Sequence, residues 1–334
     1  MEKRQIEGRG LIIHHWDTDG VCSAAMLLNH LEEYSIDNLT PEISNYFLTE
    51  DEIERCKDYD FVIVADMALP EENISQISKT SQVIIFDHHL QNPISLARHF
   101  NPVAKGENPN NWPSATWVIR KFFGDKLNIL AVLGIVGDNE NKIKENQVFN
   151  KIISDFCREN NVSFETLLKM VYLLDSNYKV RDKKEVERIP HVLKDNFDNI
   201  SNIILNNTKW NKNYLLLEEE INKLLTDKNL FREKNNILLM EMETPYLVIS
   251  TITRRLAWST GKNVVVVNRG FFDNSDQIYV RSNNVSLAAL IKKTKEQGFN
   301  AGGKNNVMGA IIPKDKTDLL LEEILNFLSN NGGK

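Results

Sequence analysis

The chain has 334 residues, 42% of them hydrophobic and 26% charged, with a formal net charge of −6; this is the make-up of a globular protein of one large domain or two smaller ones. Its apolar runs, such as "VVVV" at 264–267, are far too short to cross a bilayer. Three cysteines (Cys22, Cys56, Cys157) with no CxxC pair argue against a disulfide framework or a thiolate zinc site and suit a reducing compartment, so the cytoplasm is expected. The opening "MEKRQIEGRG" has charge but no cleavage-site pattern after it, and no signal peptide is expected. From Asn236 to Lys334 there are 12 Lys and Arg against 9 Asp and Glu, a balance of +3, while the rest carries −9. An acidic body with a mildly basic C-terminal part lacks the strong basic footprint of a duplex-DNA binder.

In chain order, "LIIHHWD" (11–17) reads as a strand and its exit, and "GVCSAAMLLNHLEE" (20–33) has the apolar spacing of a helix. "FVIVADM" (61–67) is a second apolar strand, "EENISQISK" (71–79) a helix and "QVIIFDHH" (82–89) a third strand. This alternation predicts a parallel α/β sheet with helices on both faces, where strands are apolar throughout. From about 113 to 235 the pattern turns helical, through "SATWVIRKFF" and "LNILAVLGIVGD" to "YLLLEEEINKLLTDKNLFREK" (214–234), a polar-rich amphipathic helix placed as a connector. Beyond it, "NILLMEME", "NVVVVNR" and "QIYVRS" read as strands and "LVISTITRRLAWS" and "LAALIKKTKEQ" as helices. The expected division is a first α/β domain over 1–211 with a helical later half, a connector over 212–235, and a smaller α/β domain over 236–334.

The apolar elements end in ligand-type residues. The first strand leads into His15, Asp17 and Asp19, the second into Asp66, the third into Asp87, His88 and His89, and "LGIVGDN" into Asp138. In an open α/β sheet, ligands collect outside the carboxyl ends of the strands. Carboxylates gathered at the edge of an apolar sheet repel one another and are penalised by desolvation; cations relieve both. Mixed oxygen and imidazole donors suit manganese, zinc, iron or magnesium. Six of them, His15, Asp17, Asp19, Asp66, His88 and Asp138, already exceed one open site, so two ions sharing a carboxylate are expected, an arrangement common in phosphoryl hydrolysis. Each piece alone has a plainer reading: "DTDG" as a turn, Asp66 as a helix cap, the two histidines as surface hydrogen-bonding groups. A calcium loop is excluded, because placing Gly20 at its sixth position puts Met26 where a bidentate Glu is needed.

Taken in order, "HWDTDG" (15–20), Asp66 in "VIVADM", "DHH" (87–89) and Asp138 in "GIVGDN" resemble the four motifs of the DHH-family phosphoesterases, in particular the RecJ-like branch. "YVRS" (279–282) and "GGKNNVMGA" (302–310) resemble the paired motifs of the associated DHHA1 domain, which binds substrate in that family. The resemblance implies that His15, Asp17 and Asp66 hold one ion, and that Asp19, Asp66, His88 and Asp138 hold the other, with Asp66 bridging. It implies that Asp87 orients a neighbouring histidine, that His89 lies beside the substrate phosphate, and that Arg281, Ser282 and the amides of Gly302 and Gly303 cradle a terminal phosphate. The ions implied are Mn²⁺, with Mg²⁺ as the other candidate, and the reaction is hydrolysis by a water activated between them. Lys304 stands where many relatives carry a histidine, which keeps a positive donor but loses the imidazole's shape. "GFNAGGKN" (298–305) also matches GxxxxGK, but Asn305 replaces Ser/Thr and "VMGAII" reads as a strand, so no nucleotide P-loop is expected. Trp112, Trp117, Trp210 and Trp258 have no spacing that ties them to a groove, and core or interface packing is expected of them.

The leading expectation is a metal-dependent nuclease that trims single-stranded DNA or RNA from an end, since a cleft between two domains suits a flexible strand better than a stiff duplex. The enzyme alternative is a phosphodiesterase or phosphatase on dinucleotides, very short RNAs or nucleotide phosphates. The alternative from another class is a non-catalytic scaffold that binds replication or repair proteins. No membrane partner is expected.

Overall fold

A computed structural model of the chain describes residues 7–331. It divides into two compact units, Met1–Tyr214 and Leu215–Lys334.

The first unit is built on β1 (Gly10–His14), α1 (Thr18–His30), β2 (Ile36–Leu39), α2 (Glu50–Cys56), β3 (Phe61–Ala65), α3 (Glu71–Ile77), β4 (Gln82–Phe86) and β5 (Arg98–Phe100). The strands form one all-parallel sheet in the order β2-β1-β3-β4-β5. Alternate side chains divide the sheet's two faces. Leu11, Ile13, Val62, Val64, Val83 and Ile85 share a buried cluster with Cys56 of α2 and with Ile74 and Ile77 of α3. Ile12, Ile63, Ile84 and Phe86 are buried on the other face, where α1 and the helix α4 (Ala115–Phe123) pack. Both faces are covered, as the continuous apolar strands require. Two strands escaped the sequence reading. "IDNL" and "RHF" are short, half-buried and partly polar, which is what the edges of a parallel sheet tolerate.

The unit continues through α5 (Ile129–Asn139), α6 (Gln147–Glu159), α7 (Phe164–Lys179), α8 (Lys183–Asp195), α9 (Ile200–Asn206) and the start of α10 (Thr208–Thr226). The "GIVG" stretch of α5 explains how that helix reaches α1. A Cβ on Gly134 would sit 2.2 Å from Asp19 Oδ1, and one on Gly137 would sit 3.0 Å from Thr18 Cβ. Glycine at both positions lets the two helices touch backbone to side chain.

The second unit has β6 (Phe231–Lys234), β7 (Ile237–Met242), α11 (Ile249–Thr260), β8 (Asn263–Asn268), β9 (Ser275–Arg281), α12 (Ala288–Glu296), β10 (Asn300–Lys304), β11 (Val307–Pro313) and α13 (Thr317–Asn331). Its mixed sheet runs β10-β11-β9-β8-β7-β6, with β7 and β8 parallel and the other pairs antiparallel. Val265, Val267, Ile278, Val280, Met308 and Ile312 form its core together with Leu287, Leu290 of α12, and Leu320, Ile324 and Leu328 of α13. One expectation is corrected here. The helix read over 214–234 stops at Thr226, and Phe231–Lys234 is a strand paired with β7. Asp227 accepts the Asn229 amide just past the end of the helix, while Asn235 and Asn236, at φ 50° and 59°, make the tight turn between two antiparallel strands.

Among the described residues no helix is long and apolar enough to cross a membrane, and the three cysteines are unpaired.

Candidate metal centre

The last paired row of the first sheet is His14, Ala65, Phe86 and Phe100. The next residue on each strand leaves the sheet at the same level, so His15, Asp66, Asp87 and Asn101 stand side by side at its carboxyl edge. The ladder carries them there: the His15 amide donates to the Ala65 carbonyl (3.3 Å), Asp66 to Phe86 (2.9 Å) and Asp87 to Phe100 (3.2 Å). Asp66 is also twisted into the left-handed region, at φ 61°, which a non-glycine residue adopts at a cost. Its carboxylate is thereby held in the pocket, 2% exposed.

Helix α1 brings two more carboxylates. Asp17 caps it, accepting the Gly20 amide at 3.1 Å. A Cβ on residue 20 would lie 2.2 Å from the His15 carbonyl oxygen, so the glycine of "HWDTDG" is needed for the turn. Asp19 is fully buried and accepts the amides of Ala115 (2.6 Å) and Thr116 (3.1 Å) at the start of α4. Asp138 arrives at the end of α5.

The side chains converge. Among the described residues, three sets of donor atoms each lie within 4.8 Å of one another: His15, Asp17 and Asp66; Asp66, His88 and His89; Asp19, His88 and Asp138. Asp66 and His88 each belong to two sets. His15 Nδ1 is 2.9 Å from Asp17 Oδ2 and 3.9 Å from Asp66 Oδ2; His88 Nε2 is 3.4 Å from Asp66 Oδ1 and 3.0 Å from Asp138 Oδ2. His15 Nδ1, Asp66 Oδ1 and His88 Nε2 are buried without a hydrogen-bond partner. Orphaned polar atoms are rare in folded proteins, and three donors of metal-ligand type turned toward one pocket fit a set of divalent cations. His88 is set for this role, because its Nδ1–H donates to the Trp112 carbonyl (3.2 Å) and leaves Nε2 facing the carboxylates.

The sequence of residues 9–155 matches the model described as "DHH family, N-terminal domain". The first unit carries a DHH domain. Its fold is shared with solved structures of low sequence identity. RecJ in complex with Mn²⁺ from Thermus thermophilus superposes with a TM-score of 0.69 at 13% identity, over 96% of this chain and 52% of that one. The chain thus spans about half the length of that relative. An exonuclease RecJ bound to manganese gives 0.62 at 14% identity, over 94% and 88% of the two chains. A pGpG-specific phosphodiesterase from Vibrio cholerae gives 0.52 at 12%, over 97% and 100%. No curated protein sequence matches the chain. The second unit's mixed sheet fits the expected DHHA1-like domain.

Without cations the DHH pocket is electrostatically uncomfortable. Burial, then Asp138, pushes Asp19 up to about 7 despite His88. Burial, then Asp19 and Asp17, pushes Asp66 well above the carboxylate range. Burial opposes charge on His88, but Asp138 and Asp66 outweigh it and raise its pKa. Burial opposes charge on His15 too, yet Asp17 overcomes it and raises that ring, while Asp17 is lowered by His15 against its own burial. Positive charge placed among these carboxylates would relieve the shifts of Asp19 and Asp66.

Asp87 and His89 form a separate pair. Asp87 is fully buried, and it accepts His89 Nδ1–H at 2.7 Å, the Gln91 side-chain amide and Asn101 Nδ2 (3.4 Å). Burial alone would raise its pKa; His89 holds it below the usual carboxylate range. The Nδ1–H bond makes His89 the histidine fixed by Asp87, and its side chain is 45% exposed.

One supporting residue carries no signal in the sequence. Asp175 of α7 accepts Thr18 N–H (3.0 Å) and Oγ–H (2.7 Å), holding the residue between Asp17 and Asp19. Burial raises its pKa against the pull of Lys179.

In the second unit, Arg281 and Lys304 both stand opposite Val307, so the two basic side chains share one face of the sheet. Gly302 and Gly309 are paired on that same face, and a Cβ on Gly302 would meet nothing within 4 Å. Gly303, at φ 149°, is demanded by the hairpin, since a Cβ would lie 2.0 Å from the Val307 carbonyl oxygen. Ser282 corrects the sequence reading. It is 1% exposed, and its hydroxyl is committed to Asn263 Oδ1 (2.8 Å) and the Val285 amide (2.8 Å), so it anchors the loop and has no reach to a phosphate. "VMGAII" lies in the strand β11, as the rejection of a P-loop requires.

Proposed function

We propose that the chain is a metal-dependent phosphodiester hydrolase that trims single-stranded DNA or RNA from an end. The observation that carries the reading is the pocket in which Asp66 and His88 are each shared between two sets of donors. In this reading His15, Asp17 and Asp66 hold one divalent cation, and Asp19, Asp66, His88 and Asp138 hold the other, with Mn²⁺ preferred because the DHH phosphoesterases the chain resembles generally use it and both RecJ structures hold manganese. Bound cations supply Lewis acidity toward the phosphoryl group and make water acidic enough to attack near neutral pH.

The chain's own contribution is positioning and proton handling. The strained Asp66 backbone sets its carboxylate between the two sets before any ligand arrives. Asp87 fixes the His89 ring through Nδ1 and leaves Nε2 free to face the phosphate and hand a proton to the leaving oxygen. The scheme uses no side-chain nucleophile, so no covalent intermediate is part of it. Arg281 and Lys304 offer a terminal phosphate a guanidinium and an ammonium on one sheet face.

A second reading, hydrolysis of dinucleotides or very short RNAs, is favoured by the match that runs end to end with the Vibrio phosphodiesterase. A scaffold without catalysis has no use for three buried, orphaned ligand atoms. The test is a Mn²⁺ assay on 5′- and 3′-labelled single-stranded DNA and RNA beside dinucleotides. Progressive shortening of the long strands supports the main reading; turnover of dimers alone selects the second; intact substrates throughout remove both.

A further inference from the structure

Among the large hydrophobic side chains left at the surface is Trp258, near the end of α11, with 55% of it exposed. It is not bare. Arg254, one turn earlier, places its guanidinium carbon 5.5 Å from the indole centroid, and Arg281 of β9 places its own at 6.0 Å. Both arginines also stand near Tyr279, whose burial raises its pKa while Arg281 and Arg254 pull it back. Arg281 is in register through Val307 with Lys304, two strands away, roughly 10 Å at ordinary strand spacing. The strip beside that row is paved by Gly302 and Gly309, with open space over Gly302.

A surface indole is normally a liability, and the cations gathered around it make an apolar protein partner a poor match. The combination suits a ligand that is flat and aromatic in one part and anionic in the next. Indole and guanidinium planes both stack on bases, and arginine and lysine both bind phosphate. Helix α11 packs on β8 and β9, so the ring is carried on a rigid element.

We propose that Trp258, with Arg254, is a base-stacking platform beside the Arg281–Lys304 phosphate row, and that it makes the second unit a reader of nucleotides instead of phosphate alone. This rests on the reading of the chain as a nuclease. Stacking is indifferent to base identity, so the platform adds affinity for any strand that carries bases and little sequence preference.

The test is equilibrium binding by the full chain, in EDTA to prevent turnover, of fluorescein-labelled oligo-dT and of an abasic phosphodiester strand of equal length and charge. Wild type should bind oligo-dT about 5- to 100-fold more tightly than the abasic strand. Trp258→Ala should lose that difference, Trp258→Phe should keep most of it, and Arg281→Ala should weaken both strands and flatten the salt dependence. Equal binding of the two strands by wild type, or unchanged discrimination in Trp258→Ala, overturns the platform. So does a change in oligomeric state on Trp258→Ala with strand binding unaltered, which would make the ring a protein contact. Absence of any strand binding by wild type, including to the abasic polymer, overturns the platform, while the nuclease reading is decided by the Mn²⁺ assay. Circular dichroism on each variant separates these outcomes from misfolding.

Discussion

Asp66 Oδ1 and His88 Nε2 lie 3.4 Å apart, both buried and neither in a hydrogen bond, just past the ends of two adjacent parallel strands. The fold brings them together at the sheet's carboxyl edge, and each is also within reach of a further set of donors. The chain holds this arrangement at a cost in stability, and the first predictions follow from that cost.

Replacing Asp66 by Asn removes a buried carboxylate that its neighbours disfavour, while Asn tolerates the positive φ. In EDTA the variant should be as stable as wild type or more so, by about 1–3 kcal/mol. Mn²⁺ should raise the melting temperature of wild type and raise that of Asp66→Asn by much less. Thermal melts with and without metal check both halves.

The elevated Asp19 pKa, about 7, gives a pH signature. An acid whose folded pKa lies above its unfolded value binds more protons when folded. Apo stability should therefore fall as pH rises from about 4 through 7. Cations replace those protons, so the stabilisation by Mn²⁺ should be small near about pH 5 and largest above about pH 7, and binding near about pH 6.5 should release protons. Melts across that range and calorimetry in buffers of different ionisation enthalpy test the sign. Stabilisation that is flat with pH would count against it.

His89→Gln should lower kcat by about 10²- to 10⁴-fold with metal content unchanged, as for a lost general acid. Asp87→Asn should have the smaller effect, since the ring remains but its orientation is no longer enforced. Because His89 also lies in a set with Asp66 and His88, metal analysis is needed alongside kinetics. Loss of bound metal in His89→Gln would assign that ring as a ligand instead.

Gly134→Ala places a methyl group 2.2 Å from both Asp19 Oδ1 and Thr116 Oγ1. Separating α5 from α1 should cost about 1–3 kcal/mol and weaken metal binding, because Asp138 rides on α5. Gly302→Ala meets open space and should leave the stability within about 0.5 kcal/mol of wild type.

Asp175→Ala should weaken Mn²⁺ affinity by about 10- to 100-fold through loss of the Thr18 anchor. Asp175→Asn, which keeps one acceptor for the Thr18 amide, should recover most of it. Failure of Asn to outperform Ala would make the contact a packing one.

The parts of this molecule that sequence discloses are those where one short segment carries both the structural signal and the chemistry. The runs before His15, Asp66 and Asp87 announce buried parallel strands, and the abrupt polar residues announce where the strands leave the sheet. Asp138 is visible through "GIVGD", although only the structure shows that its glycines let Asp138 approach Asp19. What stays hidden depends on distant residues or on weak local patterns. Asp175 is 157 residues from Thr18 and sits in an ordinary helical stretch. The edge strands β2 and β5 are too short and polar to declare themselves. "TDKNLFREK" continues a helical pattern in composition, and the strand at 231–234 exists only because β7 is there to pair with it. Ser282 belongs to a motif, yet its neighbour Asn263 takes its hydroxyl.

The most direct test of the central claim is a Mn²⁺ titration of the purified chain followed by electron paramagnetic resonance and metal analysis. Two ions per chain, magnetically coupled in wild type and reduced in number and uncoupled in Asp66→Ala, is the predicted result. A single isolated ion that survives Asp66→Ala, or no binding at micromolar Mn²⁺, would contradict it.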